Sequence, residues 1–157
     1  MEKMNTYGIY INGKWEDAKS KKTFPMINPA NEETIAHAAR GSFEDVDAAV
    51  KAARKAFDKG DWSAMHPRER AKYFFELEQR IAEHTSDLAT FETLDAGMVL
   101  RLTEGMVVPL VGLFCQKFAE MADYLAEPQS RAQATFPALY WDYTVREPIG
   151  VVGCIVP

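Results

Sequence analysis

Apolar positions in the first forty residues fall into short extended runs. Ile9-Tyr10-Ile11 and Lys14-Trp15 flank Asn12-Gly13. An Asn-Gly pair between such runs predicts a tight hairpin, because both central positions tolerate φ > 0. Thr23 to Asn28 reads as extended, since Pro29 disfavours helix at the residue before it. Ile35 to Ala39 reads as another short strand, so the N-terminal forty residues are expected to form small antiparallel strands.

The period then changes to that of a helix. Ser42 with Asp45 three residues later resembles a capping box ahead of Val46, Ala49, Val50, Ala53 and Phe57, which share one helical face. Gly60 is the expected stop. Pro67 suits a first helical turn, with Ala71, Phe74, Leu77 and Ile81 forming the next stripe. Ser86 is expected to cap a third helix through Leu88, Phe91 and Leu94, ended by Gly97. A fourth is expected to start near Thr103 and run to about Leu125, with Pro109 causing a kink or a late start.

The last thirty residues return to strand patterning. Leu139, Trp141, Tyr143 and Val145 alternate with Tyr140, Asp142, Thr144 and Arg146, the period-two signature of a half-buried strand. Ile149 to Val156 is almost continuously apolar and reads as a strand buried on both faces of a parallel sheet. Such a sheet requires further βα units to cover it, and the residues through Pro157 do not supply them. The chain therefore reads as unfinished. Weak stability or self-association is expected from the apolar area of that last strand.

Composition narrows the function classes. With 18 Lys+Arg against 23 Asp+Glu, the formal charge is −5, which argues against a general nucleic-acid backbone binder. With 47% hydrophobic and 11% aromatic residues, disorder is not expected. The longest charge-free stretch, Gly105 to Gln116, contains Pro109 and Gly112 and falls short of the roughly 20 residues of a membrane span. The first residues carry no apolar signal-peptide core. Cys115 and Cys154 are too few for a disulfide framework, and no Cys/His cluster suggests zinc. A cytoplasmic location is the expectation. Both cysteines lie in apolar stretches without a local histidine partner, and burial is expected for each.

Several segments, in order, resemble the N-terminal part of the aldehyde dehydrogenase superfamily. They are Tyr10 to Trp15 (YINGKW), Thr23 to Ala30 (TFPMINPA), Phe43 to Arg54 (FEDVDAAVKAAR), Glu92 to Gly97 (ETLDAG), and Arg146 to Gly153 (REPIGVVG) with Ile155-Val156-Pro157. Together they extend the resemblance from about Tyr7 to the last residue. It implies an α/β fold: the N-terminal strands and helices of a Rossmann-type cofactor domain, incomplete, with an oligomerisation β-hairpin. Residues 1–134 and 149–157 would belong to the cofactor-binding domain, and residues 135–148 to the oligomerisation arm.

The implied activity is NAD- or NADP-dependent oxidation of an aldehyde to a carboxylic acid. In the family a thiolate attacks the carbonyl, hydride passes to the nicotinamide, and water hydrolyses the thioester. The family pattern continues past the equivalent of Pro157 with Trp-Asn, whose Asn donates to the oxyanion. That pair, the nucleophilic Cys and the general-base Glu are missing here, as are the ribose- and phosphate-binding loops. The 157 residues alone are therefore expected to be inactive, with no catalytic residue among them.

Residue by residue, the resemblance places Ile155, Val156 and Pro157 against the dinucleotide. Without the resemblance they read as sheet core with a terminal proline. Gly150 and Gly153 lack the helix-opening glycine fingerprint. The Ile27 carbonyl and the Asp95 carboxylate match positions that help hold a monovalent cation, a hard ion that prefers oxygen. Asp95 reads otherwise as support for the Ala96-Gly97 turn. Ala96 stands where the family commonly has Asn, and Glu32 where it often has a turn glycine. Met106, Leu110 and Phe114 recur on one helical face; they match a substrate-tunnel wall suited to an aliphatic or aromatic aldehyde, or they pack a core.

The strand bearing Trp141 and Tyr143 matches the arm that reaches a neighbouring subunit, and reads otherwise as an ordinary hairpin. A homo-oligomer acting on a small aldehyde, without nucleic acid or membrane, is the implied setting. Two other functions fit the same residues: a non-catalytic structural or oligomerising module of this ancestry, and an acylating enzyme that passes the acyl group to coenzyme A.

Overall fold

The computed structural model describes residues 5–126, 129–134 and 139–156, with the backbone alone for residues 123, 125–126, 129–134 and 139–142. Five short strands come first: β1 (Thr6–Tyr7), β2 (Ile9–Ile11), β3 (Lys14–Glu16), β4 (Thr23–Ile27) and β5 (Thr34–Ala39). Strands β2 and β3 form the expected hairpin, with Ile11 opposite Lys14. Asn12 and Gly13 take φ of 51° and 80°, the mirror-image turn that matches strand twist. β4 pairs antiparallel with β5. The expectation of purely antiparallel pairing needs one correction: β1 adds to β5 in parallel, Thr6 opposite His37. The hairpin between them lets the chain return in the same direction. The turn after β4 holds Glu32 at φ 61°, a left-handed conformation that glycine adopts more easily.

Helix α1 (Phe43–Lys59) starts where the capping pattern placed it. Asp45 is buried. Its Oδ2 accepts from the Ser42 backbone N–H at 2.8 Å and the Ser42 hydroxyl at 2.8 Å, and the Lys19 N–H donates to both carboxylate oxygens at 3.1 and 3.2 Å. One carboxylate therefore caps α1 and ties it to the β3–β4 connection. Hydrogen bonding from the Ser42 N–H, against an opposing cost of burial, holds the Asp45 carboxyl below its ordinary value.

The short helix α2 (Asp61–Ala64) precedes α3 (Pro67–Glu83), with Pro67 in the first turn as expected. Helix α4 (Thr85–Ala96) begins at once after α3, with His84 shared between them. Ser86 therefore lies inside α4 instead of capping it. Thr85 takes the turn, its hydroxyl donating toward the Ile81 and Ala82 carbonyls at 3.0 and 3.1 Å. Gly97 ends α4 at φ 70°, where an added Cβ would lie 2.7 Å from Pro29 Cγ. That approach seats the end of α4 against the β4–β5 turn.

The next helical stretch starts earlier than Thr103 and runs without a break. It consists of α5 (Leu100–Leu102), a π-helical turn (Thr103–Val107) and α6 (Val108–Ala126). Pro109 ought to clash with the carbonyl four residues back. The wider turn immediately before it relieves that clash, so the helix absorbs the proline. The continuous run also corrects the membrane arithmetic. Leu100–Ala122 is 23 residues with mean hydropathy 1.2, long and apolar enough to cross a membrane by those measures. Counting only uncharged residues stopped at Glu104 and Lys117.

Here one side of that helix packs on protein. Val108, Gly112, Cys115 and Ala119 form its buried seam, and Gly112 lies against Glu78 and Ile81 of α3. Cys115 is buried as expected. The apolar stripe of α1 is not: Val46 and Val50 remain exposed. Strands β6 (Gln129–Ala134) and β7 (Leu139–Thr144) close the described chain as an antiparallel hairpin with Ala134 opposite Leu139.

Two outcomes follow. Gly97→Ala should cost about 1–2 kcal/mol in urea unfolding, from the left-handed φ, and more if Pro29 cannot yield. For Asp45, a depressed folded-state pKa gives stability present above the ordinary carboxylate range and lost as pH falls through the folded value. The stability gap between wild type and Asp45→Asn should therefore narrow from pH 6 toward about pH 2. Unfolding curves that keep a constant gap would contradict this.

Candidate functional site

Residues 145–156 form no strand among the described residues. This corrects the expectation of a doubly buried strand at Ile149 to Val156. Ile149 is 92% exposed, Ile155 99% and Val156 73%, and Cys154 is exposed as well. An apolar run becomes a buried strand only when neighbouring strands accept its hydrogen bonds and helices cover it. No described strand pairs with it.

The segment is nevertheless placed by α1. Gly150 takes φ 111°, and a Cβ there would lie 3.6 Å from Arg54 Nη1. The Arg54 guanidinium is itself fixed. Its Nε and Nη2 donate to Asp58 at 3.0 and 2.7 Å, and its Cζ sits 4.7 Å from the Phe57 ring centre. Five residues beyond Gly150, Ile155 and Val156 present an open apolar surface with no acidic or basic group between them. Pro157 lies outside the described residues.

The two positions matched to a cation belong to segments that meet. Ile27 ends β4 and Asp95 lies in the last turn of α4. The Gly97–Pro29 approach brings those two segments together. Asp95 is exposed. Among the described residues, no group of three His, Cys, Asp or Glu side chains is placed to hold a metal. Any ion here would rely on carbonyl oxygens beside the one carboxylate.

Met106, Leu110 and Phe114 are exposed together, at 55%, 41% and 55%. Leu110 and Phe114 lie on the side of α6 opposite its Gly112 seam, which disfavours the core-packing reading. Met106 sits in the π-helical turn, and that turn is held by a feature the sequence pattern did not single out. Thr103 is fully buried. Its hydroxyl lies 3.0 Å from Thr93 Oγ1, 3.2 Å from the Ala89 carbonyl and 2.9 Å from the Leu100 carbonyl. A threonine in an apolar stretch is the only signal that could have pointed to it.

Residues 15–157 match the aldehyde dehydrogenase family. The chain is 38% identical over 149 residues to aldehyde dehydrogenase 1 of Tanacetum cinerariifolium, covering 95% of this chain and 29% of that protein. Its fold matches aldehyde dehydrogenase from Bacillus cereus with TM-score 0.76 and 32% identity, over 92% of this chain and 29% of that one. It also matches a betaine aldehyde dehydrogenase variant from Staphylococcus aureus in complex with NAD+, with TM-score 0.74 and 33% identity, over 82% of this chain and 25% of that one.

The chain belongs to the aldehyde dehydrogenase family, whose N-terminal mixed α/β architecture it shares. It spans between 16% and 30% of the length of the relatives it matches.

Thr103→Val should destabilise the chain by about 1–3 kcal/mol, because it strands buried polar groups that the hydroxyl now satisfies. Thr103→Ser should recover most of the loss in the same urea titration. Equal stability of the Val and Ser variants would remove the hydroxyl from the account.

Proposed function

We propose that this chain is the N-terminal part of an NAD(P)-dependent aldehyde dehydrogenase that oxidises an aldehyde to a carboxylic acid. The observation that supports this most is the shared backbone with the betaine aldehyde dehydrogenase variant solved with NAD+. In this reading Ile155, Val156 and Pro157 form one wall of the dinucleotide site through backbone groups and apolar side chains. The exposure of Ile155 and Val156 fits that role, since a wall must stay open to its ligand. When bound, the dinucleotide would supply the hydride acceptor. Gly150 lies beside Arg54 of α1, so the wall would extend from that helix.

The Ile27 carbonyl and the Asp95 carboxylate would supply two oxygens for a monovalent cation at the junction of β4 and α4. Oxygen donors suit such an ion. Met106, Leu110 and Phe114 would line the approach of the aldehyde, and their apolar surface favours an aliphatic or aromatic substrate. Residues 135–148, which include β7, would act as an arm between subunits, and residues 1–134 and 149–157 would form the cofactor-binding domain. Tyr143, exposed on β7, suits a strand that completes its burial against another chain.

None of the 157 residues provides the activated nucleophile or the base for hydrolysis. The purified chain mixed with an aldehyde and NAD+ or NADP+ should form no reduced cofactor by absorbance. A polypeptide that carries this segment together with the family's catalytic segment should do so. Turnover by the 157-residue chain, free of longer species, would overturn the division of labour proposed here.

A further inference from the structure

A cavity of about 330 Å³ opens where the β3–β4 connection meets the start of α1, lined by Ser20, Lys22, Arg40, Gly41 and Ser42. Lys22 and Arg40 flank the paired ends of β4 and β5, where Thr23 lies opposite Ala39, and the Arg40 N–H donates to the Lys22 carbonyl at 2.7 Å. Their side chains therefore stand as cross-strand neighbours on one cavity. Like charges directly opposite each other are destabilising unless something between them compensates.

No described carboxylate forms an ion pair with either, although Glu44 accepts from Ser42 at one edge and Asp17 lies on the far side of Lys22. The described ion pairs join residues three or four apart, from Asp47–Lys51 in α1 to Lys117–Glu120 in α6, and neither Lys22 nor Arg40 takes part in one. The nearest buried acid, Asp45, is engaged by Ser42 and by the Lys19 N–H. The hydroxyls are oriented by the fold too: Ser20 donates to the Arg40 carbonyl at 3.2 Å, and Ser42 to Asp45 at 2.8 Å. Among the lining side chains, the Lys22 ammonium and the Arg40 guanidinium are the donors that no described protein acceptor takes. Because Asp45 already occupies the start of α1, the two cations carry the attraction.

We propose that this cavity binds a small phosphate-bearing molecule. Two separate cations suit a dianion whose several oxygens can be shared between an ammonium and a planar guanidinium fork. The volume exceeds that of phosphate alone and leaves room for a small organic group. The cavity lies apart from the point where the C-terminal segment passes α1. Gly150 meets α1 at Arg54, twelve residues along the helix from Ser42, about 18 Å at ~1.5 Å per residue. The proposal stands whether or not the chain's dehydrogenase assignment does.

The test is a titration of the isotope-labelled chain with inorganic phosphate and with pyrophosphate at constant ionic strength, read by amide chemical shifts. Saturable shifts confined to Ser20, Lys22, Gly41 and Ser42 are expected. Both side chains are exposed, so the Lys22→Gln/Arg40→Gln variant should keep its fold and the spectrum of its other residues. It should bind about tenfold more weakly, or worse, from losing charge-assisted hydrogen bonds. Shifts that do not saturate, or a variant binding as tightly as the parent, would overturn the site. Acetate saturating the same amides as tightly as phosphate would overturn the phosphate assignment. NAD+ producing these shifts more tightly than pyrophosphate would assign the cavity to the dinucleotide and overturn a separate site.

Discussion

A polypeptide of 157 residues that closes around its own core exposes roughly 7,900 Å² of surface, whereas this chain exposes 13168 Å². The difference is written into each element. Among the described residues, the buried hydrophobic ones are Ala18, Ala36, Ala89, Val108, Cys115 and Ala119, mostly small, while Phe43, Val46, Met106, Phe114 and Ile155 stand open. An apolar face of this extent needs a second surface, whether further residues of the same polypeptide or another subunit. That constraint explains why α1 has a well-formed stripe with little packed against it, and why the Ile149–Val156 run forms no strand.

Within that open architecture, local polar contacts do the positioning that a large core would otherwise do. Asp45 joins the first turn of α1 to the backbone at Lys19 across 26 residues of sequence. Thr103 joins α4 to the π-helical turn through Thr93 and the Ala89 carbonyl. Arg54, clamped by Asp58 and lying over Phe57, stands beside Gly150 of the C-terminal segment. Each contact connects elements that a short stripe of alanines and valines would hold only loosely. The family match runs from residue 15 to residue 157 and so includes all three contacts.

The candidate site was legible in proportion to how local its chemistry is. Gly97 as a helix stop and Asn12-Gly13 as a turn follow from φ preferences that only neighbouring residues decide, and both were visible in the chain. The set Met106, Leu110 and Phe114 was visible as a stripe, but its exposure depended on which side of α6 met α3. The Gly112 side of the helix met Glu78 and Ile81 of α3, which left the opposite side open. Thr103 was not legible as a joint, since its partners come from α4 and from the carbonyl of Leu100. The pairing of Lys22 with Arg40 was equally hidden, for it exists only once β4 and β5 are in register.

Sequence by itself determined the elements whose free energy is local: the hairpin turn, the capped start of α1, the proline-led start of α3 and the family to which the ordered segments belong. Tertiary structure decided what those elements face. It placed β1 parallel to β5, let a π-helical turn absorb Pro109, and left the Ile149–Val156 run open. The physical reason is that backbone preference and capping act within a few residues, whereas burial and strand pairing depend on surfaces brought together from distant parts of the chain.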